Sequence, residues 1–137
     1  MKSIFVLIFF YSSILIGQTQ GEMNADAAKE YQKSDKKLNE VYNEILKKYS
    51  DDDIFIKLMK KTQKIWIQFR DAQVEMMFPD YTDNPYSYYG SVYPMCISSY
   101  MTRLTDQRTK ELQEWLEGSI DGNVCSGSVK SKSELKQ

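Results

Sequence analysis

All three prolines of this chain, Pro79, Pro85 and Pro94, fall within one sixteen-residue stretch. Proline removes a backbone donor and clashes with the preceding helical turn, so it divides the chain into pieces that fold without it. Residues 22–77 on one side and 95–117 on the other contain neither Pro nor Gly. Such stretches are free to form long helices, and their apolar residues have the spacing for it. Tyr31, Leu38, Tyr42, Ile45, Leu46 and Tyr49 recur at three- and four-residue steps, one face of a helix over 22–49. Ser50 followed by Asp51, Asp52 and Asp53 reads as a cap with carboxylates at the positive end of a second helix, 51–77. Ile54, Leu58, Ile65, Trp66, Phe69 and Met77 supply its apolar side. Ile97, Met101, Leu104, Leu112, Trp115 and Leu116 mark a third helix over 95–116. No alternating run long enough for a sheet is present. The fold class expected is all-α, a three-helix bundle with a long Tyr/Pro-rich loop, 78–94, between helices 2 and 3.

The two ends of the chain read differently. "MKSIFVLIFFYSSILIG" has one Lys, an apolar run from Ile4 to Ile16 and then small Gly17. That is the layout of a secretory signal peptide, and the run is shorter than the roughly 20 apolar residues of a membrane span. Cleavage is expected after Gly17 or Thr19, with no neighbouring Cys to carry a lipid, which implies a soluble periplasmic or secreted protein. Residues 1–19 are thus read as the leader, 20–117 as the helical domain and 118–137 as a flexible, Gly/Ser-rich and then charged tail.

Charge and residue types narrow the function. Without Lys2, 17 of the 18 basic side chains remain against 19 acidic ones, a formal charge of −2, which argues against nucleic acid as a partner. The chain has no histidine, which removes the commonest general base and the Ser–His and Cys–His nucleophile pairs. No pair of carboxylates is marked by its surroundings as the acid and base of a glycosidase. Asp51, Asp52 and Asp53 point in different directions in a helical first turn, so no metal site is read there. The expectation is a non-enzyme without cofactor or metal. Of the two cysteines, Cys96 precedes a helix of about 31 Å, while the eight steps from Glu117 to Cys125 reach at most about 27 Å. Free thiols or an intermolecular bridge are therefore favoured over an intrachain disulfide.

Polar residues recur on the faces that should turn inward. Met59, Gln63, Trp66, Ile67, Arg70 and Val74 form one stripe of the second helix; Asp35 and Asn39 sit among Tyr31, Leu38 and Tyr42; Thr105 and Arg108 lie between Leu104 and Leu112. A buried unpaired charge costs several kcal/mol, so these groups must find partners. The economical arrangement pairs Arg70 with Asp35 and leaves Asp71 near Arg108 or solvent. Asp35, Asn39, Gln63, Trp66, Arg70, Asp71 and Arg108 are accordingly read as a structural polar network rather than a catalytic one.

These residues also carry a resemblance. "MN" at 23–24, Asp35 with "LN" at 38–39, Tyr42, Gln63, Trp66, "RDA" at 70–72, "YGS" at 89–91 and "LTDQR" at 104–108 follow one another at the spacings of a known family. In these features residues 20–116 resemble the LprI-like lysozyme-inhibitor domain, a family of small exported helical bacterial proteins. The resemblance implies a helical, non-enzymatic domain that binds and inhibits lysozyme. Family members usually carry cysteines where this chain has Asp26, Val74 and Tyr100, so their disulfides are not carried over. Binding is expected on the loop, where Tyr81, Tyr86, Tyr88, Tyr89 and Tyr93 interleave with Asp80, Asp83, Asn84, Ser87 and Gly90, a composition common to binding loops. Asp80, Tyr81, Asp83, Tyr86, Tyr88 and Tyr89 are the candidate partner-binding residues. Two roles are open: the loop blocks the cleft of a cationic lysozyme, or the protein is an envelope scaffold or stress-related module without lysozyme activity.

Overall fold

A computed structural model describes residues 18–136, so the first seventeen residues of the expected leader lie outside it. Three long helices dominate: α1 (Gln20–Lys48), α2 (Asp53–Met77) and α4 (Tyr93–Glu117), with a one-turn helix α3 (Pro85–Tyr89) in the loop. The fold is all-α, as the periodicity predicts. Helix α1 opens with a capping box: Thr19 Oγ1 accepts from the Glu22 amide at 3.2 Å, and the Thr19 amide donates to Glu22 at 2.7 Å. At the start of α2 the expected Ser50 cap is replaced by Asp52, whose Oδ1 accepts from the Phe55 amide at 2.9 Å. A carboxylate there meets the same free amides and adds charge at the positive end of the helix.

Helices α1 and α4 run parallel, and α2 returns between their ends. Asn24 meets Ser91, Ser34 meets Asp106 and Tyr49 meets Trp115 along the parallel pair. Against them α2 descends, with Phe55 on Tyr49, Gln63 on Arg108 and Arg70 on Tyr31. The α1–α4 contact is the extensive one, while α2 stands further off. Ser34, Thr105 and Thr109 are buried, and small side chains let two helix backbones approach closely. The core is Leu38, Val41 and Ile45 of α1, Tyr49 capping it, Phe55 and Met59 of α2, and Leu104 and Leu112 of α4. Each such side chain contributes about 1.5–3 kcal/mol by leaving water.

Two expectations need correction. The apolar side expected to bury α2 is largely outside: Ile54, Leu58, Ile65, Phe69 and Met77 are exposed, and the helix turns Phe55, Met59, Gln63, Trp66 and Arg70 inward. Helix α2 carries two apolar stripes, and the one with Phe55, Trp66 and the Gln63 amide that accepts from Arg108 of α4 won the interior. The second correction concerns the residues after Gly118, read as a free tail. They fold back over the end of the bundle where α1 stops. The backbones of Ser119 and Ser131 pair, and Leu135 packs against the core. Tyr49 Oη donates to the Trp115 carbonyl at 3.0 Å and accepts from the Lys130 amide at 2.9 Å. Lys130 Nζ then reaches the Lys48 carbonyl at 3.1 Å and Asp51 at 2.7 Å. Local composition favours disorder only when nothing nearby offers partners, and Tyr49 offers both a donor and an acceptor. Cys96 and Cys125 are free thiols.

Candidate protein-binding surface

The loop at the opposite end of the bundle is built on one ring. Phe78, the residue capping α2, meets Tyr89, Tyr93 and Tyr100 edge to face at centroid distances of 5.8, 6.3 and 5.9 Å. Tyr89 stacks on Tyr93 at 5.1 Å and donates its hydroxyl to the Pro79 carbonyl at 2.9 Å. Aromatic pairs in such geometries contribute about 0.5–1.5 kcal/mol beyond the area they bury. Asn84 caps α3, accepting from the Tyr86 amide at 3.0 Å, and Pro85 occupies the first turn, where its missing donor costs nothing. Thr82 and Ser87 both donate to the Asn84 carbonyl at 2.7 Å. Asn24 of α1 reaches across to the Ser91 carbonyl at 3.0 Å, fastening the loop to the bundle. Side chains and carbonyls that would otherwise need water hold one another in place.

On this base the structure separates the candidate residues. Tyr89 belongs to the packed layer, and burial, the neighbouring tyrosines and Asp80 push its phenol above the ordinary value. Tyr81, Tyr86 and Tyr88 are presented outward, 54–64% exposed. Tyr81 leans on Tyr88 at 4.9 Å, and Tyr88 on Tyr89 at 4.8 Å, so the outer rings are supported from below. Asp80 and Asp83 are exposed beside them. From Asp71 to Thr102 the chain has no Lys or Arg, while Asp71, Glu75, Asp80 and Asp83 are acidic. The loop itself is therefore acidic and tyrosine-faced, with the Arg103 guanidinium behind it, 4.7 Å over the Tyr100 ring.

The polar residues of the inner faces form two groups rather than one network. Arg108 Nε donates to Gln63 Oε1 at 3.1 Å, and its Nη1 pairs with Glu111 at 3.2 Å. Arg70 is paired not with Asp35 but with its neighbour Asp71, at 2.7 and 2.9 Å, and reaches Tyr31 Oη at 3.4 Å. Asp35 is held by Asn39 of its own helix at 3.0 Å, and Asp71 lies with Arg70 rather than Arg108. The physical reason is solvent. Both guanidiniums are mostly covered, yet their carboxylates, Asp71 and Glu111, remain about half exposed. Keeping the acid at the rim avoids desolvating both charges. Trp66 lies between the two guanidiniums, 5.4 Å from Arg70 and 5.9 Å from Arg108, and joins the groups through its ring. Among the described residues, no group of three or more His, Cys, Asp or Glu side chains is gathered for a metal, and no helix is long and apolar enough to cross a membrane.

Sequence reasoning missed one surface: the outward stripe of α2, together with a groove of about 270 Å³ lined by Ile54, Leu58, Met59, Thr62, Arg108 and Trp115 among others. The signal was present, since α2 has more apolar residues than one helical face can hold.

Comparison with known proteins bears on the whole bundle. An uncharacterized protein of Rhizobium meliloti (strain 1021) is 30% identical over 112 residues, covering 74% of this chain and 76% of that protein. No solved structure matches the chain. The family described as "Lysozyme inhibitor LprI" matches residues 16–112, from before α1 to Leu112 of α4. The chain belongs to the LprI lysozyme-inhibitor family.

Proposed function

We propose that this protein is an exported, non-catalytic inhibitor that binds a lysozyme through the tyrosine end of its bundle and covers the enzyme's sugar-binding cleft. The observation that carries this reading is the surface itself: Tyr81, Tyr86 and Tyr88 held outward on a packed aromatic base, within a stretch that has carboxylates and no basic side chain. Rigid amphipathic rings provide contact area at small entropic cost. Acidic charge steers a cationic partner and loses strength as salt rises. Family membership supports the identity of the partner. Gln63, Arg70 and Arg108 serve the fold in this reading, because their polar atoms are engaged by neighbours. Cleavage of the leader after Gly17 keeps the Thr19–Glu22 capping box, whereas cleavage after Thr19 removes it, so the former suits the folded domain.

Titration of the purified protein into a lysozyme cell-wall lysis assay, at low and moderate salt, tests the proposal. Near-stoichiometric inhibition that weakens with salt is expected. The double variant Tyr81→Ala/Tyr88→Ala should lose at least tenfold in potency with its helical circular dichroism unchanged, since exposed aromatic anchors of this kind carry about 1–2 kcal/mol or more each. A folded protein that leaves lysis untouched in molar excess at both salt concentrations overturns the reading.

A further inference from the structure

The outward face of α2 is an apolar stripe without a partner in the monomer. Ile54, Leu58, Ile65, Phe69 and Met76 are each 52–75% exposed, an unusual density of large apolar side chains on one solvent-facing helix. With Lys61 and Ala72 the stripe reads 54, 58, 61, 65, 69, 72, 76, steps of 4, 3, 4, 4, 3 and 4. The steps are the same in both directions about Ile65. A second copy laid antiparallel therefore meets its own pattern: Ile54 against Met76, Leu58 against Ala72, and Ile65 against Ile65.

The charges beside the stripe choose that direction. One flank carries Lys57 and Lys64 in the first half of the helix, with Lys61 at the stripe's edge beside them, and Asp71 and Glu75 in the second half, all exposed. In an antiparallel pair each flank faces the same flank of the other copy, so the basic half meets the acidic half. Lys57 then lies two residues, about 3 Å of rise, from Glu75 of the second copy, and Lys61 lies as close to Asp71 of the second copy. A parallel two-fold pair would turn this flank toward the opposite, uncharged flank of the other copy and forgo both attractions. The opposite flank is uncharged, with Thr62 and Gln73, and opens into the groove beside Trp115. Phe69 of the second copy falls opposite Lys61, one residue from Thr62 at the mouth of that groove.

We infer that two copies of this chain pair antiparallel through the outward face of α2, about a two-fold axis at Ile65. The dimer carries its two tyrosine loops at opposite ends, leaving both free to bind.

Sedimentation equilibrium of the purified protein over a concentration series tests this, with charge reversals to read the direction. A concentration-dependent dimer is expected, and Ile65→Asp, an exposed position, should leave a folded monomer. Lys57→Glu and Glu75→Lys should each weaken dimerisation by about tenfold, since each turns two symmetry-related attractions into repulsions. The double reversal Lys57→Glu/Glu75→Lys should restore it. A double variant as weak as the singles overturns the antiparallel register. A protein that stays monomeric up to high micromolar concentration overturns the pairing, and if Ile65→Asp then abolishes lysozyme inhibition, the face belongs to that partner instead.

Discussion

At the residue scale, the two guanidiniums show what burial asks of a charge. Arg70 and Arg108 are about one-tenth exposed, yet each keeps its carboxylate partner at the rim. Gln63 is the covered member, and its amide oxygen accepts from Arg108 Nε. Replacing Gln63 by Ala leaves that donor facing an apolar wall and should cost about 1–3 kcal/mol in urea denaturation. Replacing Asp35 by Ala removes only a bond to Asn39 on the same helix and should cost less than about 0.5 kcal/mol. Equal losses in the two variants would restore the Arg70–Asp35 pairing that the sequence alone favoured. The observed pairing of Arg70 with Asp71 was unreadable for a definite reason. Helical wheels give the face of a residue, but not which rim position on its own helix offers a cheaper partner.

At the element scale, the end of α4 depends on Gly118. Its φ of +73° and ψ of 159° lie in a region that side chains essentially do not occupy. A Cβ there would stand 2.7 Å from Leu135 Cδ1 and 3.1 Å from the Lys130 carbonyl. Gly118→Ala should therefore release the C-terminal segment and cost about 1–3 kcal/mol. Limited proteolysis reports it, as faster cleavage between residues 119 and 136 while α1, α2 and α4 remain intact. Unchanged protection would mean that the segment is not held through this turn. The long helices were legible because a 3.6-residue period and the placement of Pro and Gly are local properties. The returning segment was not, because its partners, Tyr49 and Asp51, lie some eighty residues earlier in the chain.

At the scale of the whole molecule, stability should fall on the alkaline side. Burial raises the phenols of Tyr31, Tyr42 and Tyr49 above their ordinary value, and that of Tyr89 is raised as well. A group whose folded pKa is raised contributes fully below its unfolded pKa, about 10 for tyrosine, and loses the contribution as pH rises through the folded value. Thermal midpoints should thus stay level up to about pH 9 and decline above about 10. Tyr49→Phe should soften that decline while lowering stability at neutral pH by about 1–2 kcal/mol, having lost its bonds to Trp115 and Lys130. A decline of the same size in the variant would assign the alkaline loss to other groups.

The sequence by itself determined the number and extent of the long helices, the breaking loop between the second and third, and the family, because each rests on residue type and spacing along the chain. Tertiary structure decided which stripe of α2 faces inward, which acid meets each guanidinium, which tyrosines are presented, and where the last residues go. Those choices compare burial energies of alternatives that are equally apolar or equally charged in one dimension. Only the packing of α1 against α4, and the width of Phe55 and Trp66 beside it, separates them.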